Sequence, residues 1–236
     1  MYRLLFIAPL LLAQADLERV FHLTKPKTSQ EVYDIATVVR MMTGIKELAA
    51  DGDRRTITFR GSAAQGHLAD WLMQRLDGVA SGTATFEAQL EQPDEHAVQV
   101  FFLKNTKPGQ DLQAVATLVR SLTDIRHLMT SAAQTALVVR STPRQVTLAH
   151  WLVSRLDEPQ KRENAEYQIP GSPDDTVELF YLPRTISTQQ LQQAAVKVRT
   201  ATGAQRLFTY NFSSLLAMRG TATQIAKARE LIAEIR

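Results

Sequence analysis

The chain has 236 residues, a length that suits one or two ordinary domains or a series of smaller units. Hydrophobic residues make up 44% of it and charged residues 22%, so there is enough apolar material for packed cores and a disordered chain is excluded. The 27 basic and 24 acidic side chains nearly balance. Although the pI is 9.3, the basic residues form no run, so the charge does not indicate a nucleic-acid binder. The absence of cysteine excludes disulfides, thiolate metal sites and a thiol nucleophile.

The first fifteen residues have the pattern of a secretory signal peptide. Residues 1–3 are short and basic, residues 4–12 form an apolar run interrupted by Pro9, and residues 13–15 have the small-x-small pattern of a cleavage site. The alternative is a buried N-terminal helix or strand. After cleavage the mature chain would begin near Asp16, and no later segment has the ~20 apolar residues that a membrane span needs. We therefore expect an exported protein with no integral membrane span in the mature chain, and this signal alone leaves the exported compartment open.

Sliding the sequence along itself reveals three copies of one segment. A shift of eighty residues brings residues 36–40 onto 116–120 and residues 71–77 onto 151–157, without a gap. A further shift of seventy-nine gives a weaker third copy, in which Glu230 replaces the tryptophan of the other two. The predicted domains are a signal peptide at 1–15, modules at 16–78, 98–158 and 177–236, and linkers at 79–97 and 159–176.

Each copy predicts the element order β-α-β-β-α. A short strand of β-branched and aromatic residues comes first, followed by a helix whose apolar residues recur at three and four positions. Gly44 and Gly203 suit the end of this helix, and a hairpin of two strands follows. The linkers offer additional edge strands at residues 85–90 and 166–169.

The strongest local motif joins the last strand of each copy to its second helix. It reads Arg-[Gly/Ser]-[Ser/Thr]-x-x-Gln, and the Ser/Thr and Gln have the spacing of a helix capping box. A leucine stripe follows, for example Leu68, Leu72 and Leu76. These patterns predict an α+β fold of three tandem βαββα modules, each with two helices packed on one face of a small three-stranded sheet.

This motif, continued by Ala-x-x-Leu-hydrophobic-x-x-Leu-Asp, resembles the N1-type repeat of bacterial secretins. Residues 60–77 and 140–157 carry the likeness best, and it covers nearly all of the mature chain; in the third copy Arg236 replaces the Asp. The resemblance implies KH-like modules that lie in the periplasm and assemble side by side into rings beneath an outer-membrane pore. Because the secretin pore domain is absent, we expect a stand-alone or accessory protein, or part of a longer one, rather than a channel.

No catalytic, cofactor-binding or metal-binding residues are predicted. The five histidines lack metal-ligand spacing, and the glycines form no phosphate-binding loop. A KH domain that binds nucleic acid needs a Gly-x-x-Gly loop between paired helices, which is missing here. An enzyme is therefore the least supported class, and protein partners are expected instead: further copies of the chain, or components of a secretion system or the envelope.

Five residues are candidates for an interface. Arg60, Arg140 and Arg219 occupy one place in the three copies, where they would either bind a neighbouring module or an anion, or simply fix the turn. Trp71 and Trp151 would either anchor a partner or pack beneath their own linkers. The sequence thus favours a non-enzymatic envelope scaffold, and the alternative is an exported binding protein for an anionic ligand or a secreted substrate. An exposed line of arginines would favour the alternative.

Overall fold

The computed structural model describes residues 17–26, 28–78, 85–88, 94–158, 163–172 and 174–235. These residues form six α-helices and three separate antiparallel sheets, so the predicted α+β class is confirmed. The predicted signal peptide and Arg236 lie outside the described residues. Of the helices in this part of the chain, none is both long and apolar enough to cross a membrane.

We call each sheet, together with the two helices packed on it, a unit. Unit 1 contains β1 (Leu17–His22), α1 (Ser29–Thr43), β2 (Glu47–Asp51), β3 (Thr56–Gly61) and α2 (Ala63–Leu76). Unit 2 contains β4 (Thr85–Glu87), β5 (Ala97–Phe102), α3 (Gln110–Thr123), β6 (His127–Ser131), β7 (Ala136–Ser141) and α4 (Pro143–Leu156). Unit 3 contains β8 (Ala165–Gln168), β9 (Thr176–Tyr181), α5 (Thr188–Thr202), β10 (Arg206–Tyr210), β11 (Leu215–Gly220) and α6 (Ala222–Ala233).

The three sheets differ in strand number. In the described part of unit 1 the sheet has three strands, the predicted number, in the order β1-β3-β2. The other two sheets have four strands, in the orders β4-β5-β7-β6 and β8-β9-β11-β10, so the prediction of three strands is wrong there. The reason is that the linker strands β4 and β8 pair antiparallel with the opening strands β5 and β9. Each linker strand thus belongs to the sheet of the unit that follows it.

The repeated motif starts the second helix of each unit and ties it to the first. The Ser or Thr accepts a hydrogen bond from the backbone N–H of the Gln three residues later. The amide of that Gln donates to the backbone oxygen of the last residue of the first helix. The three bonds are Gln65 to Thr43 (3.3 Å), Gln145 to Thr123 (3.0 Å) and Gln224 to Thr202 (3.1 Å).

Strands of units 2 and 3 are buried on both faces, and this joins the units. Val138 is fully buried in the apolar cluster that contains α1, whereas its neighbour Val139 belongs to the core beneath α3 and α4. Ala217 likewise lies in the cluster that contains α3. Complete burial of one valine contributes about 1.5–3 kcal/mol, so this second apolar face is a substantial part of the packing. In unit 1 the corresponding strand, β3, alternates between buried and partly exposed residues.

Candidate functional site

Arg140 connects unit 2 to unit 1. It is buried, and its Nη1 donates a hydrogen bond of 2.5 Å to the backbone oxygen of Met42, in the last turn of α1. Carbonyl groups at a helix C-terminus lack partners within the helix and carry a partial negative charge, so a guanidinium is a favourable donor there. The Nε2 atom of His127 lies 3.0 Å from Nη2 of Arg140 and 3.2 Å from Oε2 of Glu95.

The His127 imidazole therefore has a cation and an anion as neighbours. Burial is the main cause that lowers the pKa of His127. The positive charge of Arg140 lowers this pKa further, whereas the negative charge of Glu95 raises it. The neutral ring accepts a hydrogen bond from Arg140, while Oε2 of Glu95 is buried without a hydrogen bond from the ring. Protonation would reverse these preferences, because a charged ring donates to Glu95 and repels Arg140.

Arg219 makes the same connection between units 3 and 2. Its Nη1 donates to the backbone oxygen of Leu122, near the end of α3, at 2.7 Å. The rest of the guanidinium binds Asp175 through two parallel bonds of 2.8 and 2.6 Å. Asp124, which ends α3, accepts from both Arg219 (3.2 Å) and Arg206 (2.7 Å). The hydrogen bonds from Arg219 hold the pKa of Asp175 below its usual range.

Arg60 has the equivalent place in unit 1, and none of the described units precedes it. It lies exposed on β3, in register with Glu18 of β1 on one side and Glu47 of β2 on the other. The three predicted arginines therefore do not form one exposed line. Two of them lie between units, and one faces solvent at the end of the series.

Trp71 and Trp151 lie beside the linker strands. The ring of Trp71 is 5.3 Å from that of Phe86 on β4, and Arg75 lies 5.2 Å above it. Trp151 is 5.3 Å from Tyr167 on β8. Each tryptophan, on the second helix of one unit, thus contacts the added strand of the next sheet. Contact of either tryptophan with another protein stays a prediction.

The two end faces of the series are more polar than the faces between units. On the outer side of unit 1, Glu18 and Thr58 occupy the places of the buried Val98 and Val138. On α5, the exposed Lys197 takes the place of the buried Leu118 of α3 and forms an ion pair with Glu234. Residues that would bury a further unit in the same way are therefore replaced at both ends.

Sequence reasoning gave no role to the aspartate that ends the motif. Asp77 is almost completely buried and accepts from the backbone N–H groups of Thr24 and Lys25 at 2.7–3.0 Å and from the Thr24 hydroxyl at 2.8 Å. Asp157 binds the equivalent loop of unit 2. Its recurrence at the two positions was the available signal, and the structure assigns it to holding the loop after the opening strand.

A polar pair between the opening strand and the second helix was also missed. It is an ion pair of Arg19 and Asp70 in unit 1 and a hydrogen bond of 3.3 Å between Gln99 and His150 in unit 2. In unit 3 the charges are reversed, with Glu178 bound to Arg229 at 2.9 Å. Burial raises the pKa of Glu178, although its bond to Arg229 opposes this. The signal was the complementary change of two positions fifty-one residues apart in every copy.

The described residues contain no group of three metal-ligating side chains. A groove of about 590 Å³ lies between α4 and β4, with Gln99, His150, Trp151 and Tyr167 in its wall. Its titratable side chains include His150 and Glu87, and Nδ1 of His150 lies 3.3 Å from the side-chain amide nitrogen of Gln99.

No protein-family model matches the sequence, and no curated protein matches it. Among solved structures, ExeD of Aeromonas hydrophila is similar over 94% of this chain, with 14% identity and a TM-score of 0.22. XcpQN012 is similar over 94% of this chain and 99% of its own, with 12% identity and a TM-score of 0.27. The N-terminal domain of the secretin XcpQ from Pseudomonas aeruginosa is similar over 59% of this chain and 58% of its own, with 16% identity and a TM-score of 0.24.

The chain spans 41% of the length of ExeD and 38% of that of GspD in an AspS–GspD complex. These neighbours are secretin chains, the family that the sequence resembles. Since every TM-score quoted is below 0.5, we base the functional proposal on the residues of this chain.

Proposed function

We propose that this chain is a non-enzymatic scaffold of the bacterial envelope, exported to the periplasm, which binds other proteins of a secretion assembly. In this it would act like the ring-building periplasmic domains of type II, type III and type IV pilus secretins. The observation that carries the proposal is the use of the motif residues: they hold helix to helix, loop to helix and unit to unit. A motif used for assembly of the chain itself supports a structural role.

The burial of two arginines supports the scaffold over the anion-binding alternative. A site for an extended anionic ligand needs several accessible cations along one surface. Arg140 is buried against Met42, and Arg219 is already bound to two carboxylates. Of the three, only Arg60 is left exposed. Because only one of the three arginines is exposed, they cannot together form a cationic surface for a polyanion.

The arrangement of the units also supports a scaffold. Repeated units that stack through shared apolar faces form a stiff body, and polar outer faces at its ends keep such a body soluble. Here the outer face of unit 1 and the outer side of α5 are both polar. We infer that the three units act as tandem modules of one stiff body whose sides are free to bind partners.

The proposal is tested by photo-crosslinking in living cells. A photoreactive amino acid is placed at exposed positions, namely Tyr33 and Met41 on α1 and Phe212 after β10, and in a control at the buried Leu72. We expect crosslinks to secretion or envelope proteins, identified by mass spectrometry, from at least one exposed position and none from the control. Absence of protein crosslinks, together with stabilisation by a sulfated glycan that Arg60→Met abolishes, would overturn the scaffold and favour the binding protein.

A further inference from the structure

We propose that β1 is a dimerisation strand, which pairs antiparallel with β1 of a second copy around a two-fold axis at Val20. This inference rests on the proposed scaffold function and deepens it by naming one partner and its surface. In units 2 and 3 the opening strand has a neighbour on each side, because β4 and β8 are added to the sheets. Among the described residues, β1 is an edge strand that pairs with β3 alone.

The unpaired backbone groups of β1 can be assigned from the ladder. Leu23 donates its N–H to the backbone oxygen of Arg55 at 2.8 Å, so Leu23 points its backbone groups toward β3. Antiparallel strands alternate in this respect from one residue to the next. The N–H and C=O groups of Glu18, Val20 and His22 therefore point toward the open edge.

Unit 2 shows that the same edge accepts a strand. There Ala88 donates its N–H to the backbone oxygen of His96 at 2.7 Å, so His96 and alternate residues after it point toward β4. His96 and Val98 are the counterparts of Asp16 and Glu18 under the shift of eighty residues. The edge that β1 leaves open is the one that β4 occupies in unit 2.

The sequence of β1 is complementary to itself in one register. With Val20 opposite Val20 of the second copy, Glu18 lies opposite His22 in both halves, and all six outward backbone groups find partners. Shifting the axis to residue 19 or 21 places one outward residue of each strand, His22 or Glu18, opposite a residue beyond the bounds Leu17–His22 of β1. A histidine ring N–H donates to a carboxylate whether or not the ring is charged, so each Glu18–His22 pair is favourable.

β1 contains no lysine and no proline, two residues that usually protect an edge strand. Monomeric proteins place lysine, proline or a bulge on edge strands to prevent pairing. The centre of β1 instead carries Val20, whose exposed fraction of 56% is high for a large apolar side chain. Pairing would cover Val20 with its counterpart and extend the three-stranded sheet to six strands across two copies. We therefore assign the second copy, rather than another protein, as the occupant.

The test uses the exported protein as the cell processes it, with its N-terminus established by intact mass. Light scattering after size-exclusion chromatography, over a concentration series, is expected to give twice the monomer mass. Val20→Lys places two ammonium groups on the axis and should raise the dimer dissociation constant by about tenfold or more. Val196→Lys is the matched control, since Val196 is equally exposed at 59% but lies on α5; it should leave the dimer unchanged.

A charge exchange tests the register. Glu18→His alone should weaken the dimer, and the double variant Glu18→His with His22→Glu should restore it, because the opposite pairs are rebuilt with their members exchanged. A wild-type monomer, or an oligomer unaffected by Val20→Lys, would overturn the proposal. So would amide protection of residues 18, 20 and 22 in a monomer that retains the residues before Leu17, since another part of the chain would then fill the edge. None of these three results would remove crosslinks to other proteins, so failure of the dimer and failure of the scaffold are distinguishable.

Discussion

The connection between units 1 and 2 is expected to depend on Arg140. Replacement by methionine keeps most of the apolar stem but removes every donor of the guanidinium. The backbone oxygen of Met42 then loses a bond of 2.5 Å, and the partly buried carboxylate of Glu95 loses its charge interaction with Arg140. Hydrogen bonds to charged groups contribute about 1.5–3 kcal/mol, and an unsatisfied buried acceptor adds to the loss. We expect Arg140→Met to lower the free energy of unfolding by about 2–4 kcal/mol.

Arg60→Met is the matched control for this prediction. Arg60 has the same place in its strand and the same motif around it, but it is exposed and none of the described units precedes it. Its replacement should change the free energy of unfolding by no more than about 0.5 kcal/mol. Arg140→Lys, which keeps the charge but loses the planar fork, should lie between the two.

Chemical denaturation followed by circular dichroism measures the loss, and hydrogen exchange locates it. In Arg140→Met the amides in the last turn of α1 should exchange faster than in the wild type, whereas those of α5 should be unchanged. Equal losses for Arg60→Met and Arg140→Met would refute the reasoning, because the arginine would then act within its own turn. Faster exchange throughout the chain, with no excess in α1, would do the same.

Three further predictions concern other polar side chains. Asp77→Asn should lower the free energy of unfolding by about 2 kcal/mol, since the amide replaces an acceptor that Thr24 and its neighbour use; denaturation measures it. Arg19→Glu should cost about 1 kcal/mol, because the ion pair with Asp70 is partly exposed, and the double variant Arg19→Glu with Asp70→Arg should recover most of it by copying unit 3. The lowered pKa of His127 means that the unfolded chain binds the proton more tightly, so the free energy of unfolding should fall as the pH drops below about 6.5.

Each of these has a control or a contradicting outcome. Asp53→Asn, at an exposed position in the hairpin turn of unit 1, should have little effect beside Asp77→Asn. If the double exchange at Arg19 and Asp70 is no better than the single change, the two residues do not act as a pair. For His127, the free energy of unfolding of the wild type and of His127→Gln is measured as a function of pH over the acid range. Parallel curves would show that protonation of the ring does not affect stability.

The elements within a unit were predictable because their signals are local. A capping residue and its Gln lie three positions apart, and the leucines of a stripe recur about one helix turn apart. The roles of Ser62 as a cap and Leu72 as a core residue are therefore predictable from a few neighbouring residues. The additional edge strands in the linkers are predictable for the same reason. Their partner could not be derived, because pairing of β4 with the following sheet depends on where the chain turns.

The contacts between units were not predictable from the motif alone. The same arginine recurs in three copies, yet only the stacking of one sheet on the preceding helix makes Arg140 buried and leaves Arg60 exposed. A weaker signal was present in the strands. Residues 136–139 are continuously apolar, as expected of a strand buried on both faces, whereas residues 56–59 alternate as a strand with one free face does.

The surfaces through which this chain can associate are limited by the polar residues on its two end faces. A further unit stacked on unit 1 would meet Glu18, Thr58 and Arg60, and one stacked on α5 would meet Lys197, so growth along the stack would remove charged side chains from water. The sides of the sheets remain. On one side the edge strands of units 1 and 3 are β2 and β10, which begin with the charged residues Glu47 and Arg206. The other side begins with β1, whose centre is an exposed valine, and association through that edge leaves the stack of units unchanged.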